Sequence, residues 1–269
     1  MSDLLDAHVN SIDVAALRAA FARAHPTHFV CLEGFLRPDF AAAVASSYPS
    51  FEMARTMGRE FRAVNETLKV QITDPARFPE PVVRLHQILS SPEWLDQVSE
   101  IAGIDKLIAD EQLTGGGMHL YGSGSHLDVH VDFNQIPDRG LHRRLNILVF
   151  LNPAWPEAWG GEFELWDPEV RHRLHAFAPT MNRCVIFQTS ETSYHGVPKV
   201  RCPAALSRNS FAAYYYTEAR PVQALAPHST VFRSRPNEKL KGALWMPLER
   251  LSRTANATAR ELARRLLRR

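Results

Sequence analysis

The sequence has few cysteines, no long apolar run and no basic N-terminus. Its three cysteines, Cys31, Cys184 and Cys202, are odd in number and widely spaced, which argues against a disulfide framework and favours reduced thiols. No run approaches the roughly 18 apolar residues of a transmembrane helix, so no membrane attachment is expected. The first ten residues are acidic where a signal peptide is basic. These absences predict a soluble cytoplasmic protein.

The composition is that of a globular chain, but its charge is unevenly distributed. Of 269 residues, 45% are hydrophobic and 22% charged, which excludes a disordered or fibrous chain. Eleven of the 31 basic residues but three of the 29 acidic ones lie from Arg233 onward, so the preceding 232 residues carry 20 basic and 26 acidic side chains. A basic tail beside an acidic body predicts either an anionic partner or packing of the tail on the body.

The chain divides into a helical N-terminal part and a β-rich part. In residues 1–105, helices are predicted over the segment VAALRAAFARA, over 38–48, and over two stretches of 80–101 broken at 90–92, with FVCLEGFL as a short strand. From about Leu113, short β-rich runs alternate with separators such as GSGS and NPAWPEAWGG. This pattern predicts an antiparallel sandwich or barrel with flanking helices, an α+β chain that is mainly β. We expect a single catalytic domain over 1–269.

One strand carries chemistry. His126, Asp128, His130, Asp132 and Asn134 alternate with apolar residues, so the polar side chains share one face of the strand. His130 and Asp132 therefore point the same way, roughly 6.5–7 Å apart. An imidazole and a carboxylate at that separation can both reach one metal ion.

Downstream residues complete a possible ligand set. His195 follows Asp132 by 63 residues, and Arg208 comes 13 residues later with Ser210 two positions beyond. Two histidines and one carboxylate are the ligands of non-haem Fe(II) oxygenases, and they leave three coordination positions open. A guanidinium with a hydroxyl on the same strand face suits the binding of a carboxylate.

With these residues in place, the sequence resembles the prolyl-4-hydroxylase-like branch of the Fe(II)/2-oxoglutarate-dependent dioxygenases. The resemblance covers roughly 113–217 and rests on motifs in the family's order: His130-x-Asp132, LNILVFLN, GGEFELW, His195-Gly-Val, and Arg208-x-Ser210 before the tyrosines 214–216. It implies a double-stranded β-helix, or jelly roll. It also implies Fe(II) bound by His130, Asp132 and His195, and 2-oxoglutarate bound by Arg208, Ser210 and Tyr121. Dioxygen is the implied oxidant, and ascorbate a candidate supporting reductant.

Two positions qualify the resemblance. Relatives often carry a tyrosine where this chain has Phe150, so the cosubstrate pocket is expected either to depend more on Tyr121 and Ser210 or to lack the second tyrosine contact. Related halogenases replace the carboxylate of Asp132 with a small residue, and its presence here favours hydroxylation. The implied reaction is the oxidative decarboxylation of 2-oxoglutarate to succinate and carbon dioxide, coupled to hydroxylation of a substrate C–H bond.

The spacing of several other polar residues does not decide their roles. His126 is interpreted as a rim residue. The run 142–144, His-Arg-Arg, either binds an anionic substrate group or places Arg144 in solvent, and the second interpretation is favoured. Gly160 and Gly161 predict a turn before a strand. The N-terminal helices and the loop at 137–144 are candidate covers for the site. Four strand residues can face the pocket or not: His119, Asn146, Glu164 and Trp166.

The leading hypothesis is an oxygenase that hydroxylates an unactivated C–H bond of a small molecule, such as an amino acid or a biosynthetic intermediate. The alternatives are a protein or peptide prolyl hydroxylase, and a non-catalytic metal- or 2-oxoglutarate-binding sensor module. The segment 247–269 predicts an amphipathic helix with arginines on its outer faces. Because it lacks aromatic residues for stacking, docking on the barrel is favoured over binding to nucleic acid or membrane. Substrate identity and oligomeric state are left open.

Overall fold

The N-terminal part of the chain is largely helical, as its periodicity predicts. A computed structural model describes residues 3–222, 226–238 and 240–246. Its helices are α1 (Asp3–His8), α2 (Val14–Arg23), α3 (Pro38–Ser46), α4 (Phe51–Met57), α5 (Glu80–Leu89) and α6 (Pro92–Ala102). Side chains cap three of them: Asp13, Ser50 and Ser91 each accept a hydrogen bond from a backbone amide in the first turn. Among the described residues, no helix is long and apolar enough to cross a membrane.

The remaining elements form one antiparallel sheet that curls into a half-barrel, and the predicted jelly-roll core is confirmed. The strands are β1 (Phe29–Leu32), β2 (Arg59–Arg62), β3 (Glu66–Ile72), β4 (Ile108–Ala109), β5 (Gly117–Val131), β6 (Gln135–Ile136), β7 (Leu141–Phe150), β8 (Phe163–Trp166), β9 (Arg173–Phe177), β10 (Cys184–Gln188), β11 (His195–Val197), β12 (Arg208–Thr217) and β13 (Val231–Arg233). The order β1-β10-β7-β12-β5-β11-β8-β9 places β5 at the centre of the path, beside β11 and β12.

Two features of the sheet differ from the sequence-based expectation. The GSGS segment does not separate two strands, since it lies inside the continuous strand β5. The reason is packing: a Cβ atom on Gly122 would lie 2.8 Å from the ring of Phe51, so glycine is needed for close approach. The hairpin β2–β3, which the analysis of residues 1–105 missed, pairs with β5 and adds two strands to the helical region.

A hydrogen-bonded tryptophan and tyrosine join the helices to the sheet. The indole Nε1 of Trp94, on α6, donates to the hydroxyl of Tyr215 on β12 at 2.8 Å. That hydroxyl donates in turn to the carbonyl of Leu89, at the end of α5, at 2.7 Å. Both side chains are fully buried. Two helices are therefore fixed to the strand that begins with Arg208.

The segment after residue 226 packs on the acidic body. Strand β13 pairs with β5, Arg235 forms an ion pair with Glu164 at 2.9 Å, and Lys241 forms one with Asp128 at 2.7 Å. Part of the basic surplus is thus neutralised within the fold. The predicted helix over 247–269 lies outside the described residues, so its docking stays a prediction.

Replacing Tyr215 by phenylalanine tests the link between helices and sheet. The change leaves the buried indole N–H of Trp94 without its acceptor, and we expect it to lower the free energy of unfolding by about 1–3 kcal/mol. Urea denaturation at constant m-value measures the loss. Tyr48→Phe is the matched control, because the buried hydroxyl of Tyr48 has no hydrogen-bond partner among the residues that the structure describes. Equal stability of Tyr215→Phe and the wild type would contradict the assignment.

Candidate active site

The structure brings His130, Asp132 and His195 together. His130 and His195 are directly opposite each other on the antiparallel strands β5 and β11, and Asp132 follows the end of β5. The Nε2 atom of His130 lies 3.5 Å from Asp132 Oδ1, and that of His195 lies 3.4 Å from Oδ2. One potential ligand atom from each residue lies within 4.8 Å of the others, and within the described part of the chain this is the one group of three or more His, Cys, Asp or Glu side chains so arranged.

The hydrogen bonds of the two histidines leave the correct nitrogen free for a metal. The Nδ1–H group of His130 donates to the carbonyl of Asp128 at 2.8 Å, and that of His195 donates to the carbonyl of Ser193 at 2.9 Å. Each ring therefore presents an unprotonated Nε2 to the space beside Asp132. Burial lowers the pKa of His195 to about 3, which keeps it neutral. The donor set thus fits a divalent transition metal.

Arg143 and Asn146 hold the carboxylate of Asp132. Arg143 Nη2 lies 3.1 Å from Asp132 Oδ2, and Asn146 Nδ2 donates to the same oxygen at 2.8 Å. Arg143 Nε donates to Asn146 Oδ1 at 2.9 Å, so the three side chains form a closed network. Burial alone would raise the pKa of Asp132, but the charge of Arg143 holds it well below its usual range.

Aromatic rings fix the guanidinium of Arg143. Its central carbon lies 3.6 Å from the ring centroid of Tyr214 and 4.6 Å from that of Phe133, as in cation–π contacts. In the sequence, Arg143 was considered only as part of the run 142–144, and the orientation of Asn146 was left open. The spacing of three positions between Arg143 and Asn146 is a weak signal for a shared partner. In a regular strand their side chains lie on opposite faces, so both can reach Asp132 only where the alternation is broken.

Arg208 is a buried cation without a carboxylate partner. Its side chain is 2% exposed, and no described acidic group lies within ion-pairing distance of it. Arg208 Nε donates to the carbonyl of Gly161 at 2.6 Å, and Nη1 lies 3.5 Å from Ser210 Oγ. Burial lowers its pKa to about 10, so it stays charged at neutral pH. Because an unpaired buried charge is costly, this position calls for an anionic ligand.

The cavity beside Arg208 contains the other predicted cosubstrate residues. Its volume is about 320 Å³, and its walls include His130, Asp132, His195, Arg208, Ser210 and Tyr121. The guanidinium carbon of Arg208 lies 4.9 Å from the ring centroid of Tyr121 and 5.0 Å from that of Phe150. Phe150, which replaces a family tyrosine, thus contributes a ring face beside the arginine.

Lys69 is a second buried cation in this cavity, and the sequence analysis missed it. It lies on β3, 5.7 Å from the ring centroid of Tyr121, and pairs with Glu66 at 2.9 Å. The signal was the alternation of Lys69 and Gln71 with the apolar Val70 and Ile72. Without the pairing of β3 to β5, however, that pattern does not place Lys69 beside Tyr121.

The remaining polar residues divide between the cavity and the outer surface. His119 lines the cavity, where its Nε2 donates to the carbonyl of Gly115. Glu164 and Trp166 hydrogen-bond to each other at 3.1 Å and do not line it. His126 does not line the cavity, and its Nε2 contacts the carbonyl of Val64. The turn at Gly161 positions Arg208, since a Cβ atom on Gly161 would lie 3.3 Å from Arg208 Cδ.

The fold and the site together define a class. A jelly roll with two histidines and a carboxylate beside a buried arginine is the arrangement of a non-haem Fe(II)/2-oxoglutarate-dependent oxygenase. Residues 116–216 match the family described as the 2OG-Fe(II) oxygenase superfamily. This match over 116–216 confirms the resemblance drawn from the motifs of that segment.

Several solved structures are similar to this chain at low sequence identity. A prolyl hydroxylase from Trichoplax adhaerens, in complex with a hypoxia inducible factor peptide fragment, is 18% identical, covers 76% of this chain and 90% of its own, and has a TM-score of 0.54. A Pseudomonas putida prolyl-4-hydroxylase is 18% identical over 74% and 98% of the two chains, with a TM-score of 0.49. HygX from Streptomyces hygroscopicus is 14% identical over 78% and 92%, with a TM-score of 0.48. No curated protein sequence matches significantly.

Asn146→Ala tests the network around Asp132 without changing its charge. We expect about 10- to 100-fold weaker metal binding, because the carboxylate loses a hydrogen bond that orients it. Competition titration with Co(II) measures the affinity, and thermal unfolding checks the fold. Asn10→Ala is the control, because Asn10 donates hydrogen bonds to the carbonyls of Gly34 and Leu36. All three residues are far from Asp132 in the sequence. Unchanged affinity in Asn146→Ala would show that Arg143 alone orients Asp132.

Proposed function

We propose that this oxygenase hydroxylates an unactivated C–H bond of a small molecule. The observation that carries the proposal is the presence, in one cavity, of a converging His-Asp-His donor set and a buried arginine that has no acidic partner among the described residues. A 2-oxo dicarboxylic acid fits both ends of this cavity, since it can reach the metal with one end and the guanidinium with the other.

The residues divide the work as follows. His130, Asp132 and His195 hold Fe(II), and Arg208 binds the distant carboxylate of 2-oxoglutarate with help from Ser210. Tyr121 lies against Arg208 and shapes the cosubstrate cavity. When bound, Fe(II) supplies the activation of dioxygen that is coupled to decarboxylation of 2-oxoglutarate. The retained carboxylate of Asp132 favours hydroxylation over halogenation, because it occupies the position that a halide would take.

The protein also limits access of water to the site. The histidines and Arg208 are almost fully buried, and Phe232 on β13 lies across from His130, with ring centroids 5.3 Å apart. Phe163 and Phe187 lie against the other histidine, with ring centroids 5.6 and 4.9 Å from that of His195. Such an apolar surround strengthens the electrostatic contacts that orient cosubstrate and substrate.

The cosubstrate assignment is tested with Arg208→Gln. We expect about 10- to 100-fold weaker binding of 2-oxoglutarate, because a charge-assisted contact to the carboxylate is lost. Anaerobic calorimetry with Fe(II)-loaded protein measures binding, and succinate formation in oxygen measures turnover. Ser210→Ala should lose less, because its hydroxyl is neutral. The control is Arg201→Gln, at an exposed position in the loop before β12.

Two results would count against the proposal. If the wild-type protein binds neither Fe(II) nor 2-oxoglutarate, the site is not an oxygenase centre. If it binds both but consumes no oxygen with any metabolite or peptide, it acts as a sensor module. Activity on peptides and not on free metabolites would instead make it a peptide hydroxylase.

A further inference from the structure

A second cavity adjoins the first at the metal-ligand carboxylate. Its volume is about 540 Å³, and Asp132, Phe133 and Arg143 line both cavities. None of the proposed cosubstrate contacts, Tyr121, Arg208 or Ser210, lines the second one. A molecule bound there would therefore lie beside the metal-binding residues without displacing 2-oxoglutarate. Its size is within the range of small-molecule sites.

An irregularity in β7 turns two consecutive arginines toward this cavity. Leu145 pairs with Tyr215 and Arg143 with Tyr216, so Arg144 is an extra residue opposite no partner on β12. In a regular strand, neighbouring side chains point to opposite faces, and Arg144 would lie behind Arg143. The bulge removes that constraint, and both Arg143 and Arg144 line the second cavity.

The two arginines differ in their partners. The charge of Arg143 is neutralised by Asp132 at 3.1 Å. Arg144 donates to Thr217 Oγ1 at 3.2 Å, and no carboxylate of the described residues forms an ion pair with it. Burial lowers the pKa of Arg144 below its ordinary value, and it remains a cation at neutral pH. A half-buried guanidinium with one neutral partner retains donors for an anion.

The rest of the wall limits the kind of anion. It is rich in hydroxyl and amide groups, including Thr27, Gln188 and Thr192, which suits a polar ligand. Glu191 also lines the cavity and accepts hydrogen bonds from Asn134 at 3.0 Å and His228 at 2.7 Å. A second negative charge in the same cavity disfavours a phosphate dianion. A monovalent carboxylate matches the planar fork of one arginine.

We propose that Arg144 binds a carboxylate of the substrate, so that the substrate is a small, polar carboxylic acid. This inference rests on the proposed function, since it names the substrate class of the same site. The bulge at Arg144 makes the recognition possible, because it places this guanidinium next to the Arg143–Asp132 pair. The acid group is then held at Arg144 while another part of the substrate lies toward the metal-binding residues.

Binding measurements on matched acids and amides test the proposal. The probes are the free L-amino acids, simple 2-hydroxy acids and alkanoic and benzoic acids, each beside its primary amide. They are titrated calorimetrically into protein holding Mn(II), which keeps the site redox-silent, and saturating 2-oxoglutarate. We expect at least one acid to bind about 10-fold or more tightly than its amide. Arg144→Gln should weaken that acid about 10- to 100-fold and its amide little.

Two further variants make the result specific. Arg144→Lys keeps the charge and should recover part of the preference for the acid, even if Arg144→Gln folds poorly. Arg18→Gln, at an exposed position on α2, should bind every probe as the wild type does.

Four outcomes would overturn the substrate class. The first two are equal binding of acid and amide, and no binding of any acid at a concentration 10-fold higher than ~1 mM. The other two are binding of phosphate esters, or of peptides, that is tighter than binding of the acids. In each of these, binding of 2-oxoglutarate to the wild-type protein would still stand. Loss of 2-oxoglutarate binding itself would overturn the proposed function instead, so the two failures are distinguishable.

Discussion

The contact between Asp132 and Arg143 organises both cavities of this protein. A carboxylate in a mostly buried position is stable in its charged form only if a cation and hydrogen-bond donors compensate for lost hydration. Arg143 and Asn146 supply them at Oδ2, while Nε2 of His130 approaches Oδ1 and Nε2 of His195 approaches Oδ2. The same guanidinium forms part of the wall between the two cavities. One interaction therefore sets the charge state of a potential ligand and the boundary between the two cavities.

The buried basic side chains of the cavities differ in whether they have an acidic partner. Arg143 and Lys69 are buried and paired with Asp132 and Glu66, so they add little net charge. Arg208 is buried, and its partners within the described part of the chain are neutral. Because the cost of burying a cation must be offset by something, an unpaired one in a cavity is better explained by a ligand than by stability of the fold. Pairing, more than the presence of a basic residue, distinguishes a binding group from a supporting one.

The sequence predicted the features that depend on local pattern. Alternation around His130 predicted a strand there, His195 and Arg208 were each predicted on further strands, and helix periodicity located α2, α3, α5 and α6 to within a few residues. What it missed depends on tertiary contacts. The glycines of the GSGS segment read as a turn but serve close packing against Phe51. The partnership of Lys69 with Tyr121 needs the pairing of β3 with β5, and the orientation of Arg144 needs a bulge whose origin lies in the register with β12. A period-two pattern cannot reveal any of these, because each departs from it or joins distant segments.

The basic C-terminal segment contacts the strand that carries His130, near the candidate metal-binding residues. Asp128 is fully buried, and its side chain accepts a hydrogen bond from Lys241 at 2.7 Å. Its backbone carbonyl accepts the Nδ1–H of His130, which is the bond that leaves Nε2 of this ring free. Strand β13 pairs with the same part of β5 and places Phe232 opposite His130. The described part of the basic C-terminal segment is therefore attached to the strand that carries a candidate metal ligand. The charge of Lys241 in this segment compensates the buried carboxylate of Asp128, the residue whose carbonyl accepts the hydrogen bond of His130. This arrangement does not require an external anionic partner.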